Sequence, residues 1–522
     1  MFPDVPARLS RDLPQAADMD KVHNHFQPNS EPPQEWNVAG KSVFFIGIGG
    51  CGMSGLARML RSRGADCSGS DRIASPVTDS LIADGFPVFF NQDTGELPEK
   101  CDLVITSAAI TNDHPQVRSA RKRGIETLRY AAALGRSMID RTGVAIAGTH
   151  GKSTTTAMLA HVMIECGFDP SFIVGATCKQ IGGGSRVGAA QIPRGRLAGN
   201  PGLLIAEACE YDRSFHNLHP VVAVITSVES DHLDVYGSLD AVVESFSQFA
   251  RLLPAEKDGG FLLIAHDNAH RREVTAGLAC RVETIGFSPA ADWVLSVDNS
   301  LAALSRDGEM LCQWQLPMPG EHNAMNSACA VAAAIILGTD PSAAATAIGK
   351  FAGLDRRLQL LGEREVQGKQ GDLGTVRVYD DYGHHPSEID ATLRAIRQHE
   401  QLNVFGGRLV CVFQPHQHSR TRFLLEEFAQ SFSSADVVIV PHIYFVRDSE
   451  AEKQKVSARD LVDRLRKRGV TAMHLYPFGA IVETLEAVCS PGDVVVVMGA
   501  GPVWQVAHQY LKSGKVAQVG AQ

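Results

Sequence analysis

The run from Gly143 to Met163, GVAIAGTHGKSTTTAMLAHVM, constrains this chain most. An apolar stretch of strand length passes through a glycine-bearing turn into a helical stretch. The turn reads Gly148-Thr149-His150-Gly151-Lys152-Ser153-Thr154-Thr155. A strand–loop–helix unit of this kind gathers backbone N–H groups at one helix N-terminus, where they cradle phosphate. Lys152 brings a neutralising charge and Ser153 a hydroxyl suited to a magnesium ion. The spacing G-x-x-x-x-G-K-[ST] is met only if Ala145 or Ile146 stands in for the first glycine, so GTHGKS is a shortened form. The bland alternative is a strand-to-helix turn with a surface lysine. The coincidence of strand, glycines, lysine and hydroxyls weighs against it.

A strand–loop–helix unit belongs to a parallel sheet with crossover helices, and the rest of the chain keeps that alternation. SVFFIGIG reads as a strand and GMSGLARMLRSRG as a helix ended by Gly64. LLIAEA, VVAVITSV and FLLIAHD follow the phosphate-type turn. VRVYDDY, RLVCVFQPH, DVVIVPHI and DVVVVMGAG form a last set, separated by helical stretches such as TRFLLEEFAQSF. The expected class is α/β in three domains: Rossmann-like at 39–142, phosphate-loop ATPase-like at 143–351, and Rossmann-like again at 352–522. Residues 1–38 are rich in Pro, Asp, Asn and Gln without a period and read as a disordered arm. The glycine-rich stretch 182–202, GGGSRVGAAQIPRGRLAGNPG, reads as a loop beside a ligand.

Composition narrows the function classes. A net charge of -9 argues against a dedicated nucleic-acid binder. The eleven cysteines are scattered with no CxxC pair, which points to reduced thiols in the cytoplasm rather than a zinc ribbon or disulfide scaffold. No apolar run reaches the roughly 18 residues of a membrane helix, and no secretory signal pattern is present.

Two further patterns carry chemistry. Gly47-x-Gly49-x-x-Gly52 lies between a strand and a helix, and Asp71 follows Gly52 by 19 residues. Those are the parts of a dinucleotide fingerprint. In the central unit, Glu207 ends one apolar strand, and Asp231 and His232 follow another. Ligands of open α/β sheets gather at such carboxyl ends, so a carboxylate and an imidazole there could hold a second Mg²⁺ beside the phosphates. A helix-capping Glu and a solvated loop His are the alternative.

GTHGKSTTT, EACEYDRSF, ESDHLDVY, HNAMNSACAVAAA, DRRLQLLGE, DDYGHHPSEI and FQPHQHSRT occur in the order of the Mur ligases. The chain resembles that family over about residues 41 to 510, and most closely its branch that joins L-alanine to UDP-N-acetylmuramate. The resemblance implies an N-terminal domain for the UDP-sugar, a central one for ATP and a C-terminal one for the amino acid. It implies that ATP phosphorylates the muramoyl carboxylate and that the amine then attacks the acyl phosphate. It assigns Gly148, Thr149, His150, Gly151, Lys152, Ser153, Thr154, His322, Asn323, Asn326, Arg357 and Asp381 to ATP. Ser153, Glu207 and His232 would hold Mg²⁺. Gly47, Gly49, Gly50, Gly52, Met53, Ser54, Asp71 and Ser107 would hold the UDP-sugar. Tyr382, His384 and Arg420 would meet the amino acid. Lys152, Glu207, His232 and Arg357 would carry the catalytic roles.

Some residues depart from the family pattern. Gln417 and His418 stand where Arg and Tyr are usual, and Cys209 where Asp is usual, which leaves open the choice among alanine, glycine and serine. No lysine occurs from Leu233 to Glu256, so the carbamylated lysine of the branches that add later residues has no counterpart. Three competing readings remain: a murein-peptide recycling ligase that attaches a tripeptide, an NAD-dependent oxidoreductase using the first fingerprint, and a non-catalytic binder of cell-wall precursors. The phosphate loop has no purpose in the oxidoreductase reading.

Overall fold

A computed structural model describes residues 36–368, 371–446 and 448–513, with the backbone of 516–517. The arm expected at 1–38 lies outside the described residues as far as residue 35. Trp36 packs against the first sheet's core and Val38 is buried there. The cysteines are all free thiols. No helix among the described residues is long and apolar enough to cross a membrane.

Three sheets form the framework. The first is fully parallel, in the order Val88–Phe89, Asp66–Ser70, Ser42–Ile46, Leu103–Thr106, Glu126–Arg129. That is the strand order of a nucleotide-binding half-fold, with its crevice where the order reverses beside Ser42–Ile46. The second sheet centres on Thr142–Ala147, flanked by Leu203–Glu207 and Val222–Ile225. The third centres on Leu409–Phe413 and Val494–Met498, with Leu373–Asp381 beside the latter. All the central strands are buried on both faces, which explains their unbroken Val/Ile/Leu runs.

The expectation of parallel pairing holds at the centres and fails at the edges. Trp293–Asp298, Leu301–Arg306 and Glu309–Gln315 form an antiparallel meander on the second sheet. The two-residue turn Asp307-Gly308 has φ of 54° and 80°, the left-handed pair that closes a hairpin compatible with strand twist. Gln359–Gln367 likewise pairs antiparallel with Leu373–Asp381. Short connections leave no room for a crossover helix, so these strands must reverse.

Two helices carry the middle of the molecule. Lys152–Glu165 follows the phosphate-type turn and is buried on every side from Ser153 to Met163. Glu321–Ile336 packs against it, and its run of alanines lets the two backbones approach closely. A third helix, Pro386–His399, starts with a built-in stop. The His385 side chain accepts from the Ser387 N–H while Glu388 accepts from the His385 N–H, a capping box with Pro at the first helical position. That start docks onto the second sheet. The carboxyl ends of all three central sets of strands carry the residues discussed below.

Candidate active site

Ile146 of the central strand sits in register with Glu207, so the loop after one strand and the carboxylate ending the next are neighbours by construction. Gly151 caps the following helix at φ 81°, and Gly148 lies at φ 137°. A methyl on Gly148 would fall 2.0 Å from Thr226 Oγ1, and one on Gly151 would fall 2.3 Å from Asn326 Oδ1. Both glycines are therefore demanded by packing as well as by backbone angle.

Lys152 reaches back over the loop. Its Nζ donates to Gly148 O at 2.6 Å, Thr149 O at 2.9 Å and Glu210 Oε1 at 3.0 Å. Burial works against its charge, but the Glu210 carboxylate more than offsets this and holds the ammonium above its ordinary range. Ser153 Oγ donates to Glu207 Oε1 at 3.0 Å, and Gly175 N–H donates to the other Glu207 oxygen at 2.7 Å. The resemblance sets His232 with Glu207 as ligands of one cation; His232 Nε2 lies 3.6 Å from Asp231 Oδ2 and 3.9 Å from Glu210 Oε1. Glu210, Asp231 and His232 bring their ligating atoms within 4.8 Å of one another. Glu210 Oε2 is buried and accepts no aligned hydrogen bond, although Lys152 Nζ is 2.9 Å away. Carboxylate and hydroxyl oxygens of this kind suit a hard divalent cation.

Glu210 was not singled out from sequence, although it lies three residues past Glu207 in the same segment. Glu229 and Glu388 were missed too. His150 lies between them, Nε2 at 3.5 Å from Glu229 and Nδ1 at 3.2 Å from Glu388. Burial alone would lower the His150 pKa; the two carboxylates outweigh it and raise it to about 10. The capping-box pattern HHPSE was the signal that could have flagged Glu388.

The cleft above the loop holds about 930 Å³ of empty space and is lined by His150, Gly151, Thr154, His322, Asn323, Asn326, Arg357 and Asp381 among others. It thus gathers residues from two sheets that were assigned to ATP. Asn326 Nδ2 donates to Asn323 Oδ1 at 3.3 Å and its Oδ1 accepts from Thr155 Oγ1 at 3.3 Å. These bonds tie the Glu321–Ile336 helix to the loop helix. Burial lowers the His322 pKa to about 4, so that imidazole is neutral at pH 7. Asp381 spends both oxygens on the backbone, accepting from Leu358 N and Gly383 N at 2.6 Å each. It shapes the segment that carries Arg357. Arg357 and Arg356 lie over the Tyr382 ring at 4.9 and 5.1 Å.

Arg420 reaches across to the second sheet's loop. Its Nε and Nη2 both donate to Asp231 Oδ1, at 3.1 and 2.9 Å, with side-chain exposures of 6% and 8%. Burial raises the Asp231 pKa, but the Arg420 charge outweighs this and holds it well below the carboxylate range. His385 Nε2 lies 3.0 Å from Ser230 O, and Ser387 Oγ donates to Glu229 at 2.7 Å. Tyr382 and His384 rings sit 5.4 Å apart, and burial first, then Arg420, lowers the His384 pKa to about 3. Gln417 is buried at φ 68°, and the backbone N–H groups of His418 and Ser419 both donate to Asp448. His232, Arg356, Leu358 and Gln417 all hold left-handed backbones, strain of the kind that gathers at working sites.

In the first sheet, Gly49 N–H donates to Asp71 Oδ2 at 2.8 Å, so Asp71 shapes the glycine turn itself. A methyl on Gly47 would fall 2.9 Å from Ser107 Oγ, which sets Ser107 against the same turn. Gly50 caps the helix Cys51–Ser62. Met53 and Ser54 are buried, and Ser54 Oγ donates back to Cys51 O. A methyl on Gly52 would meet Tyr130 Oη at 2.5 Å, a neighbour the sequence did not announce.

Fold and site together define a three-unit α/β protein built around a glycine-rich strand-to-helix loop, with carboxylates and an imidazole gathered beside it and a third unit lining the cleft above it. Family models described as the Mur ligase family catalytic domain, middle domain and glutamate ligase domain match residues 42–142, 146–334 and 356–501. The chain belongs to the Mur ligase family. It is 35% identical over 487 residues to the UDP-N-acetylmuramate–L-alanine ligase of Acetivibrio thermocellus, covering 92% of this chain and 97% of that one. The ligase of the same name from Paenarthrobacter aurescens is 41% identical over 468 residues, covering 88% and 94%. The solved UDP-N-acetylmuramate–alanine ligase of Thermotoga maritima shares the fold at TM-score 0.70 and 24% identity, covering 90% of this chain and 98% of that one. A murein peptide ligase from Psychrobacter arcticus does so at 0.67 and 23%, covering 92% and 100%.

Proposed function

We propose that this protein joins L-alanine to UDP-N-acetylmuramate with ATP, through an acyl phosphate, in the cytoplasm as a step of peptidoglycan precursor synthesis. The observation that carries the reading is the near full-length similarity to relatives named for that activity. The geometry supplies the parts. The glycine turn at 47–52 offers a helix N-terminus to a sugar diphosphate. The second loop offers one to ATP, whose phosphates would take Lys152 from the carbonyls and carboxylate it now holds. A carboxylate is a poor electrophile, so phosphoryl transfer must activate it, and that transfer is mostly positioning and charge neutralisation.

Ser153, Glu207, Glu210, Asp231 and His232 are the groups that would hold Mg²⁺. When bound it would neutralise phosphate charge and hold the oxygens in line. Arg357, on the Leu354–Arg357 turn at the cleft wall, would add positive charge beside the phosphates of a nucleotide held there. Arg420 is the grip for the amino acid carboxylate, with Asp231 occupying its Nε and Nη2 donors. His384, its pKa lowered to about 3 by burial and then by the Arg420 charge, stands beside it as a neutral imidazole, with the Tyr382 ring 5.4 Å from the His384 ring.

The test mixes protein, ATP, Mg²⁺, UDP-N-acetylmuramate and each amino acid, and measures phosphate release and the ligated product. L-Alanine should be preferred. Preference for L-alanyl-γ-D-glutamyl-diaminopimelate would turn the assignment to the recycling reaction. No release with any acceptor would end the ligase reading.

A further inference from the structure

The glycine-rich stretch 182–202 has no part in the site above, yet it brings Arg196 to a second cavity. This concavity, of about 250 Å³ and open to solvent, lies at the amino ends of the strands Phe261–Ala265 and Arg281–Gly286, away from the carboxyl ends that carry the loop. Arg196, Arg281 and Arg306 line it, with Phe261, Trp293 and the end of the helix Glu321–Ile336. Three guanidiniums in one concavity are unexpected on a chain of net charge -9.

The arrangement is built rather than incidental. Glu283, 7% exposed, organises it from below. Its Oε1 accepts from Arg281 Nε at 2.8 Å, Arg281 Nη2 at 2.6 Å and Arg306 Nη2 at 2.7 Å. Its Oε2 accepts from Trp293 Nε1 at 2.6 Å. Arg306 lies over the fully buried Trp293 ring at 4.8 Å, and Arg281 over Phe261 at 5.8 Å. These contacts fix both guanidinium planes before any ligand arrives. Arg196 donates to Ile336 O, which offsets the weakly negative carbonyl end of that helix.

The charges do not balance within the cluster. Glu283 is the buried carboxylate that pairs with these arginines among the described residues. Asp307, 3.7 Å from Arg306 Nε, is 89% exposed and screened by solvent. Arg281 Nη1 and Arg306 Nη1 make no hydrogen bond to a described residue. Planar forks with free donors, held on aromatic faces around a concavity, match the geometry of a phosphate group.

We propose that this cavity is a second anion site, separate from the nucleotide cleft, that binds the phosphate of a small phosphorylated molecule on Arg196, Arg281 and Arg306. The helix Glu321–Ile336 connects the two places. Its far end carries His322, Asn323 and Asn326, and 16 residues span about 24 Å. The two sites therefore do not overlap.

The test is calorimetric titration of the full chain, first saturated with Mg²⁺ and a non-hydrolysable ATP analogue. The probes are orthophosphate, pyrophosphate and ADP. A binding event with at least one probe is expected beyond the occupied nucleotide cleft. Response to orthophosphate or pyrophosphate identifies free phosphate as sufficient; response to ADP alone identifies a nucleoside ester. Affinity should fall at least tenfold in Arg196→Gln and in Arg306→Gln. Arg196 lies on a surface loop and Glu283 keeps Arg281 and Trp293 in the second variant, so both should melt as the parent does. Absence of any event in the parent protein overturns the proposal, and so does unchanged affinity in both folded variants.

Discussion

Gly151→Ala probes how the nucleotide cleft is assembled. Gly151 sits at φ 81°, where an alanine costs roughly 1–2 kcal/mol. The added methyl would lie 2.3 Å from Asn326 Oδ1 and 3.3 Å from Asn326 Cγ. The shorter distance is roughly 1 Å inside ordinary contact. Asn326 cannot swing away freely, because it is buried, accepts from Thr155 Oγ1 and donates to Asn323 Oδ1. Relieving the overlap adds about 1–3 kcal/mol, and the narrower unfolded ensemble of alanine offsets only part of the total, so the loss of folding stability is of the order of 2–3 kcal/mol. The larger effect is geometric. Either the loop or the Glu321–Ile336 helix must shift, and a displacement of about 1 Å costs on the order of 10²-fold in turnover. The assay is ATP-dependent phosphate release with UDP-N-acetylmuramate and L-alanine, alongside a melting curve. Turnover should fall on the order of 10²-fold while the melting temperature drops only a few degrees, about 1 °C per kcal/mol for a chain of this length. Asn326→Ser in the same background removes the overlap and should recover part of the loss. A Gly151→Ala enzyme within about threefold of the parent would refute the claim that loop and helix are in rigid contact.

Lys152→Ala should reduce phosphate release by 10²-fold or more, on the order expected when a charge is withdrawn from a developing phosphoryl group; near-normal turnover would remove Lys152 from the chemistry. The His150 contacts predict a pH dependence. The His150 pKa is raised from 6.5 to about 10, so its stabilisation is fully present below pH 6.5 and disappears as the pH rises through 10. The melting temperature of the parent protein should therefore fall relative to His150→Gln between pH 6.5 and 10, and parallel curves would contradict the assignment. Asp231 and Arg420 form a buried pair between two sheets. Removing either partner should destabilise the protein by about 3–5 kcal/mol, because it leaves a buried charge unpaired. A cycle of Asp231→Asn, Arg420→Met and the double variant, read by denaturation, should show coupling above about 1 kcal/mol; additive losses would show that the contact carries none.

What the sequence by itself determined was local. Strand, glycine turn and helix at 42–62 and 142–165 are encoded by apolar runs and by residues a few positions apart. The α/β class followed from that alternation, while the antiparallel pairing of Leu301–Arg306 with Glu309–Gln315 rests on the short turn at Asp307-Gly308. Tertiary structure alone decided which charges meet. Glu210 meets Lys152 across 58 positions, and Arg420 meets Asp231 across 189. Neither spacing has a period that a sequence reading can follow. Glu388 looks like a helix cap in sequence and also turns out to face His150 from another sheet. Arg196, Arg281 and Arg306 look like scattered surface charges, and only strand order and one buried Glu283 draw them into a single cavity. The physical reason is range: hydrophobic periodicity and backbone angles act over one or two turns, whereas a carboxylate's partner is set by strand order and by which loops the close-packed core brings together.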